Sequence, residues 1–485
     1  MSRIIRVLLA SSEAVPFAKT GGLADVAGSL PFAYNKNEFD IRVIMPKYAS
    51  ISQEYVEKMK FIKSINISLG WRNKYCGIFE LQHNGIIFYF IDNEFYFGGP
   101  HLYSYIHEDI EKFAFFSKAV LSVLPHLGFK PDIIHCNDWQ TSLIPVMLKV
   151  LFQNENFYRK IKTILTIHNL KFQGIWGLKE TQDATGLPNE CFSIDKLEFY
   201  GDANLLKGGI VYSDHITTVS NTYMNEIQTP EFGERLDGLL RARKNDLSGI
   251  VNGISYIEYN PSTDKYIYAK YNRRDFASRK RENKLALQRE LNLAPNKDSF
   301  LIGLVSRLTS QKGIDLIASI MDKLCQMDMQ LIVLGTGEYQ YEEMFLYYSR
   351  TFPDKVSANI FFSNELAHKI YASSDVFLMP SLFEPCGLSQ LISMHYGTLP
   401  IVRETGGLKD TVLPYNKFTG EGTGFSFRNY NSEELWATIC FAKEVFSNRK
   451  EWNNIVRQAM AKDYSWEKSA QEYAKLYTNL TNNVS

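Results

Sequence analysis

Residues 379–410 read MPSLFEPCGLSQLISMHYGTLPIVRETGGLKD. An apolar run leads into one carboxylate, Glu384, which stands between a phenylalanine and a proline, and a second apolar run leads into the glycine pair 406–407. Two strand-like runs, each followed by a turn and a helix-like stretch, predict part of a parallel α/β sheet. A similar glycine pair, 21–22, follows the first apolar run of the chain. Both halves therefore place glycines on predicted strand-to-helix turns.

The same alternation of apolar runs and amphipathic stretches extends along most of the 485 residues. The predicted strands are IRVLLAS, DIRVIMP, IIFYFID, PDIIHCND, TILTIHN and SDHITTVS in the first half, and FLIGLVSR, QLIVLGTG, NIFFSN, VFLMPSL, LPIVRE and GTGFSF in the second. The segments IEKFAFFSKAVLSVLPHL and GIDLIASIMDKLCQM have helical spacing. This pattern predicts two doubly wound α/β sheets. We expect ligands to bind at the carboxyl ends of both sets of strands, in a cleft between the domains.

Turn residues in SGIVNGISYIEYNPSTD interrupt the alternation and indicate a domain boundary. We expect an N-terminal domain over residues 1–248, a C-terminal domain over residues 249–460, and a final helical segment over residues 461–485. The final segment carries four apolar or aromatic residues on one helical face: Trp466, Ala470, Tyr473 and Tyr477. Such a face needs a partner, and we expect the segment to pack back on the N-terminal domain.

The composition is that of an ordinary globular protein. It is 45% hydrophobic and 22% charged, and 53 basic side chains balance 53 acidic ones. This balance provides no electrostatic basis for binding nucleic acid or an acidic membrane surface. The six cysteines form no C-x-x-C motif, and the first apolar run is too short for a signal peptide or a membrane helix. We expect a cytoplasmic protein with reduced thiols.

The loop AKTGGLADV follows the first predicted strand and precedes a helix. Its glycines allow close backbone approach, the helix N-terminus offers unpaired N–H groups, and Lys19 adds a positive charge. This arrangement favours an anion site, and a plain tight turn is the alternative. The dinucleotide fingerprint G-x-G-x-x-G is absent, which argues against a nicotinamide-dependent oxidoreductase.

The segment VSRLTSQKGIDL repeats the arrangement in the second half. Arg307 and Lys312 stand on the turn between a strand and a helix, where they favour a diphosphate, although most cations are simply solvated. His168 follows another strand, and a lone histidine is usually structural. Glu384 has the alternative role of capping the next helix, and Cys386 is expected to be a packed thiol. No Asp-x-Asp or His/Asp spacing predicts a metal site.

Six segments together resemble bacterial glycogen synthase and plant starch synthase: KTGGLADV, TIHNLKFQG, EIQTPEFGERLDGLL, VSRLTSQKG, SLFEPCGLSQL and TGGLKDTV. They occur in the expected order, and the resemblance extends from residue 5 to about residue 480. It implies a GT-B glycosyltransferase with two Rossmann-like domains that face each other across a deep cleft. It also implies transfer of glucose from ADP-glucose to the non-reducing end of an α-1,4-glucan such as glycogen, with retention of configuration and without metal or cofactor.

The resemblance assigns catalytic roles to five residues: Lys19, His168, Arg307, Lys312 and Glu384. The three cations address the donor diphosphate, the histidine contacts the transferred glucose, and the glutamate lies beside the sugar. Further substrate contacts are implied for Gly22, which lends a backbone N–H, and for Asp25, Asn252, Gly387, Leu388, Thr405 and Gly406.

Three positions are informative when set beside the family pattern. Gln140 stands where a histidine is usual after Asp-Trp, and Ser255 stands where an aspartate is usual. Ile392 occupies the position, eight residues after Glu384, that is a second glutamate in relatives outside the synthase branch. Two alternatives to a synthase remain at this point. One is a nucleotide-sugar epimerase of the same fold, and the other is a non-catalytic glucan-binding protein, which would not be expected to keep all three cations.

Overall fold

Parallel strands form the centre of each of two units in the computed structural model, which describes residues 3–103 and 106–482. The first unit contains the chain up to Asn252 together with the segment from Trp466 onward. The second unit is Gly253–Ser465.

The first unit contains a nine-stranded sheet and a small three-stranded sheet. Its strands are β1 Ile5–Ala10, β2 Phe39–Pro46, β3 Lys60–Leu69, β4 Arg72–His83, β5 Ile86–Asp92, β6 Ile133–Asn137, β7 Lys162–Ile167, β8 Ile175–Gly177, β9 Glu198–Phe199, β10 Asp202–Asn204, β11 His215–Thr218 and β12 Leu247–Gly249. The large sheet has the order β12-β11-β7-β6-β1-β2-β5-β4-β3, and the small sheet has the order β8-β10-β9.

Parallel pairing runs from β12 to β5, and this part contains all six strands predicted for the first half. The antiparallel hairpin β3–β4 extends the sheet beyond β5 and was not predicted. Its first strand is mostly exposed or half-buried, so it lacks the continuous apolar run that marks a buried parallel strand.

The second unit contains one parallel six-stranded sheet of order β15-β14-β13-β16-β17-β18. Its strands are β13 Phe300–Val305, β14 Met329–Leu334, β15 Val356–Asn359, β16 Val376–Met379, β17 Leu399–Arg403 and β18 Phe425–Phe427. Five of the six predicted strands are confirmed. The prediction of a strand at NIFFSN is wrong, because β15 ends at Asn359 and the two phenylalanines that follow, Phe361 and Phe362, are exposed.

Helices connect these strands. In the first unit they are α1 Gly22–Ser29, α2 Gln53–Val56, α3 Glu94–Phe97, α4 Ile106–Val123, α5 Leu143–Met147, α6 Leu178–Thr185, α7 Leu205–Tyr212, α8 Asn221–Glu226 and α9 Asp237–Ala242. In the second unit they are α10 Phe276–Glu290, α11 Ile314–Ala318, α12 Met321–Gln326, α13 Tyr339–Thr351, α14 Asn364–Ser373, α15 Ser389–His395, α16 Gly406–Thr411, α17 Ser432–Ser447 and α18 Arg449–Met460. The last helix of the chain, α19 Trp466–Asn482, returns to the first unit.

Short helical turns complete the secondary structure. The 3₁₀ turns are Leu30–Ala33, Leu124–His126, Trp139–Thr141, Asn189–Phe192, Lys244–Asp246 and Ser310–Lys312, and Leu148–Phe152 forms a π-helical turn. The single helix predicted from GIDLIASIMDKLCQM is two helices, α11 and α12, with a break between them. Within the two described ranges, none of the helices combines the length and the apolar character needed to span a bilayer.

Helix α19 buries its predicted apolar face in the core of the first unit. A chain of buried hydrogen bonds ties it to the sheet. The Tyr477 hydroxyl lies 2.7 Å from His135 Nδ1 on β6, and His135 Nε2 lies 2.6 Å from Thr166 Oγ1 on β7. The C-terminal helix is therefore held by specific polar contacts as well as by apolar packing.

The buried His135 predicts a pH-dependent contribution to stability. Burial lowers the pKa of His135 from 6.5 to about 3, so the folded protein keeps the ring neutral. The unfolded chain takes up a proton below about pH 6.5, and the stability of the folded state therefore falls as the pH falls from 6.5 towards 3. We expect His135→Gln to destabilise the protein at pH 7.5. The loss of unfolding free energy caused by the substitution should be about 2 kcal/mol smaller at pH 5 than at pH 7.5. The reason is that the unfolded variant takes up no proton at this position.

Urea unfolding of both proteins at the two pH values measures this difference. His126→Gln is the matched control, because His126 is exposed and its replacement removes no buried hydrogen bond. A His135→Gln penalty of the same size at both pH values would contradict a buried, neutral histidine.

Candidate active site

An ion pair between two predicted site residues lies at the carboxyl ends of β13 and β16. Lys312 Nζ is 2.6 Å from Glu384 Oε2, and the hydroxyl of Ser381 donates to the same oxygen at 3.2 Å. The side chains are only 18% and 9% exposed, respectively. The alternative role of Glu384 as a helix cap is wrong. Helix α15 begins five residues later, at Ser389, and no side chain caps its first turn.

Glycines allow the loop that carries Glu384 to lie directly on the start of α16. Gly406 has φ +44°, and a Cβ at this position would lie 2.0 Å from the Glu384 carbonyl oxygen. The N–H of Gly407 donates to the carbonyl oxygens of Glu384 and Pro385, at 3.1 and 3.0 Å. A real Cβ cannot approach an oxygen this closely, so any side chain at residue 406 would displace the loop.

A third glycine supports the other end of the same loop. Gly313 follows Lys312 with φ +74°, and a Cβ there would lie 2.1 Å from the carbonyl oxygen of Pro380. The turn with the lysine and the loop with the glutamate therefore meet through their backbones. This contact brings Lys312 and Glu384, which are 72 residues apart, within hydrogen-bonding distance.

A pocket of about 100 Å³ adjoins Lys312. Its polar lining includes Ser306, Ser381 and Ser389. Arg307 stands exposed on the turn that leads to Lys312, and its side chain has no hydrogen bond or ion pair with any residue that the structure describes. Hydroxyl, ammonium and guanidinium donors thus surround one edge of the sheet, which is suitable for an anionic ligand.

The remaining predicted residues of the second unit lie on the same loops. Gly387 has φ +72°, and Leu388 and Thr405 occupy the N-cap positions of α15 and α16. The amide of Gln390 donates to the carbonyl oxygens of Cys386 and Gly387, at 3.0 and 2.9 Å. Cys386 is buried and forms no disulfide, as expected for a packed thiol. Side-chain and backbone hydrogen bonds together fix the backbone beside Glu384.

In the first unit, Lys19 forms an ion pair with Asp25. Lys19 Nζ lies 2.7 Å from Asp25 Oδ1, and burial raises the pKa of the aspartate while the lysine opposes that shift. Gly22 is the first residue of α1, so the predicted loop does lead into a helix N-terminus. The lysine side chain remains accessible to solvent.

Glu13, which was not predicted from the sequence, organises this loop. Its carboxylate accepts hydrogen bonds from the backbone N–H groups of Thr20 and Gly21, and from Thr20 Oγ1 at 2.8 Å. Glu13 is 2% exposed, and burial raises its pKa. The sequence did offer a signal for Glu13, namely a carboxylate three residues beyond the first strand. A buried acid at that position needs hydrogen-bond donors from the adjacent turn.

His168 directly follows β7 and is half-buried. Its backbone N–H donates to Asp138 Oδ1 at 2.7 Å, and its Nε2 lies 2.9 Å from Asn137 Oδ1. The Asn137 amide nitrogen donates to the carbonyl oxygen of Ala10, so the amide oxygen accepts and His168 Nε2 carries the proton. Burial lowers the pKa of His168 to about 4. The ring is therefore neutral at pH 7, with Nδ1 as an acceptor.

Asp138, which was also not predicted, adopts φ +55° and is held by the same turn. Burial raises its pKa to about 7, and the backbone N–H groups of His168 and Asn169 oppose that shift. Its position immediately after β6 was the signal that could have identified it.

Asn252 and the three positions compared with the family pattern are buried or half-buried; these positions are Gln140, Ser255 and Ile392. Asn252 and Gln140 are buried, and their side-chain oxygens have no hydrogen-bond partner among the described residues. Ser255 Oγ accepts from the N–H of Glu258 at 3.3 Å, which is the turn contact that an aspartate would make. Ile392 packs in the core of the second unit. Over residues 3–103 and 106–482, no group of three His, Cys, Asp or Glu side chains is placed to hold a metal ion.

Two family models match this chain. Residues 6–242 match the family described as "Starch synthase catalytic domain", and residues 289–459 match "Glycosyl transferases group 1". The glycogen synthase of Lachnospira eligens is 64% identical over 98% of this chain and 99% of its own length. The glycogen synthase of Lachnoclostridium phytofermentans is 59% identical over 98% of this chain and 100% of its own.

Solved structures give the same result for the fold. The catalytic domain of starch synthase IV from Arabidopsis thaliana, bound to ADP and acarbose, superposes with a TM-score of 0.91 and 31% identity, over 99% of this chain and 100% of that one. A sucrose-phosphate synthase from Thermosynechococcus elongatus superposes with a TM-score of 0.62 at 18% identity, over 99% of this chain and 100% of that one, and shares the fold alone.

Two doubly wound Rossmann-like units of this kind define a GT-B glycosyltransferase, so the predicted fold class is confirmed. Within that class, the chain belongs to the starch and glycogen synthase family. The resemblance identified from the six motifs is therefore confirmed as well.

The Lys312–Glu384 contact predicts an energetic coupling in the absence of ligand. A largely buried, charge-assisted hydrogen bond contributes about 1.5–3 kcal/mol. A double-mutant cycle with Lys312→Met and Glu384→Gln should therefore give a coupling energy of about this size in urea unfolding. The control pair is Lys323–Glu433, whose charged atoms are 2.7 Å apart but whose side chains are 43% and 68% exposed. Its coupling should stay below about 1 kcal/mol, and an equal value for both pairs would contradict the buried interaction.

Proposed function

We propose that the protein transfers glucose from ADP-glucose to the non-reducing end of an α-1,4-glucan, with retention of configuration and release of ADP. The observation that carries this proposal is the Lys312–Glu384 pair beside a polar pocket at the carboxyl edge of the second sheet. It occurs in a chain that is 64% identical to a glycogen synthase. The related starch synthase structure, bound to ADP and acarbose, supports the same classes of ligand.

The donor diphosphate is assigned to Arg307 and Lys312. Arg307 has no competing partner among the described residues, and Lys312 is held at the pocket by Glu384. A cation–phosphate contact at 4 Å contributes about 4 kcal/mol at an effective dielectric constant of 20. The family resemblance adds Lys19 of the first unit to this set. Apart from the glucan acceptor, the donor is the only ligand that the proposed reaction requires.

Retention with one carboxylate favours a front-face mechanism. The position that would carry a second glutamate is Ile392, which is buried in the core, so a double displacement through that position has no nucleophile. In the front-face route the bond from C1 to the diphosphate oxygen breaks, and the acceptor 4-hydroxyl oxygen bonds to C1. The hydroxyl proton moves to the leaving diphosphate. Arg307 and Lys312 stabilise the negative charge that develops there, and Glu384 stabilises the oxocarbenium-like sugar.

His168 acts as a neutral hydrogen-bond acceptor in this proposal. Its Nε2–H is used by Asn137, and Nδ1 has no hydrogen-bond partner in the described part of the chain. A sugar hydroxyl can donate to Nδ1, whereas an imidazolium could not accept this bond. The role of His168 is therefore to position the transferred glucose.

Phe362 is proposed as a contact for the nucleobase. Its side chain is 89% exposed, and it follows β15 at the same carboxyl edge as Arg307. An exposed aromatic face stacks on a base with a free energy of about 1–3 kcal/mol. This contact would bind adenine and uracil alike, so it contributes to affinity more than to selection of the base.

A transfer assay tests the proposed reaction directly. We expect radiolabelled glucose to pass from ADP-glucose into glycogen, with kcat/KM at least about tenfold higher than with UDP-glucose. Arg307→Ala should lower kcat about 30-fold, which corresponds to ~2 kcal/mol of transition-state stabilisation. Lys323→Ala removes a surface lysine of the same unit and should leave kcat unchanged.

Consumption of the donor without glucan, with release of an altered free sugar, would favour the epimerase. Glucan binding without turnover would favour the non-catalytic alternative.

The ion pair predicts opposite effects of one substitution on catalysis and on product binding. In the ligand-free protein Glu384 neutralises Lys312, so Glu384→Gln should leave the lysine free for phosphate. We expect ADP to bind about threefold tighter, or by ~0.7 kcal/mol, while kcat falls about 100-fold because the developing positive charge on the sugar loses its partner. Calorimetry with ADP and the transfer assay measure the two effects. The gain in ADP affinity should vanish in the double variant with Lys312→Met. A weaker affinity in Glu384→Gln alone would contradict competition between Glu384 and phosphate for Lys312.

A further inference from the structure

A second pocket lies at the opposite edge of the sheet in the second unit. Lys297 precedes β13, Asp375 precedes β16 and Gly397 precedes β17, and all three line this pocket. Because the strands are parallel, these positions mark the amino-terminal edge, whereas Lys312 and Glu384 stand beyond the carboxyl ends. The pocket has about 40 Å³ of space, enough for roughly three water molecules at about 10–15 Å³ each.

The lining of this pocket is strongly basic. It contains one carboxylate, Asp375, and five cations: Lys280, Arg281, Lys284, Lys297 and Arg449. The carboxylate is used by Lys284, whose ammonium also donates to the carbonyl oxygen of Ser299 at 2.9 Å. Basic side chains in the lining therefore outnumber acidic ones by five to one, although the whole chain has a formal net charge of zero.

Lys280 is buried, and neutral groups accept its hydrogen bonds. Its ammonium donates to the carbonyl oxygens of Ala372 and Tyr396, at 3.0 and 3.2 Å, and to Thr398 Oγ1 at 2.7 Å. Two of these acceptors belong to the C-terminal ends of α14 and α15, where the helix dipoles favour a cation. The Lys280 side chain thus has hydrogen-bond acceptors but no carboxylate of its own among the described residues, and burial lowers its pKa to about 7.

Three further cations stand nearer to solvent. Arg281 and Lys297 are exposed, and neither has a carboxylate partner among the described residues. The Arg449 guanidinium stacks 3.8 Å above the ring centre of Phe446, and it reaches the exposed Asp298 only at 3.6 Å. Burial lowers the pKa of Lys284, Asp375 opposes this shift, and Arg449 and Arg281 add to the lowering. The cations around the pocket therefore repel one another in the unliganded protein.

We propose that this pocket binds a phosphate group, either as inorganic phosphate or as part of a small phosphorylated metabolite. A compact dianion relieves the repulsion among the cations and matches the planar donors of the arginines. The small volume and the neutral chain disfavour an extended polyanion. None of the five cations takes part in the proposed transfer of glucose, so this site does not depend on that function.

Calorimetric titration of inorganic phosphate into the full-length protein tests the proposal. Saturating ADP keeps the donor site occupied, and a phosphate-free buffer of constant ionic strength removes changes in screening. We expect one site whose affinity falls about fivefold or more in Lys297→Gln and in Arg281→Gln. Both side chains are exposed, so their removal should leave the fold intact, which the thermal midpoint verifies. Arg279→Gln is the matched control, because this residue lies on the same helix but pairs with Glu282 at 2.9 Å.

A parallel titration with a hexose monophosphate distinguishes the two sources of the phosphate. Tighter binding than that of inorganic phosphate would assign the site to a phosphorylated metabolite, and equal or weaker binding would assign it to the free ion. The proposal would be overturned if phosphate showed no binding in the presence of ADP. It would also be overturned if Arg279→Gln weakened binding as much as Lys297→Gln, since net charge alone would then explain the attraction.

Discussion

The candidate site of the second unit depends on close contact between backbones at three glycines. Gly313 faces the carbonyl of Pro380, and Gly406 and Gly407 face the carbonyls of Glu384 and Cys386, at distances that leave no room for a Cβ. The main chain therefore places Glu384 next to the turn of Lys312. The hydrogen bonds from Lys312 and Ser381 then fix the carboxylate itself. Without these contacts, a single acid and a single lysine 72 residues apart would have no reason to meet.

The two glycine pairs, 21–22 and 406–407, look alike in the sequence but have different physical causes. At Gly406 and Gly407 a side chain would collide with the backbone. A Cβ at Gly21 would have Glu13 Oε1 as its nearest neighbour, at 3.8 Å, which is an ordinary contact. The glycine in the first unit is thus not required by internal packing. It leaves no side chain at the N-cap of α1, and Glu13 holds the loop through Thr20.

Much of the fold could be predicted, because a parallel sheet covered on both faces requires continuous apolar strands. This signal located six strands in the first half and five in the second. It failed at β3 and β4, whose exposed edge lacks such runs, and at NIFFSN, where two phenylalanines face solvent beyond the end of β15. Apolar content therefore predicted strands only where it coincided with burial.

The site was less predictable than the fold, because its residues meet through tertiary structure. Strand ends indicated Arg307, Lys312 and His168, but no spacing in the sequence connects Lys312 with Glu384. The role of each residue in catalysis came from the family resemblance and not from its position. Glu13 and Asp138 each follow a strand, but they were missed because the sequence does not show which donors a buried carboxylate will meet. Both accept backbone N–H groups from turns that only the folded chain brings near them.

Net charge was equally uninformative about local anion sites. The chain carries equal numbers of basic and acidic side chains, yet cations gather at both edges of the sheet in the second unit. Exposed charges are screened over about 8 Å at physiological ionic strength, so an anion responds to the few side chains around it and not to the total. At the carboxyl edge Glu384 forms an ion pair with Lys312, and at the amino edge Asp375 forms one with Lys284. A balanced composition therefore excludes broad attraction to polyanions while leaving room for binding of single phosphate groups.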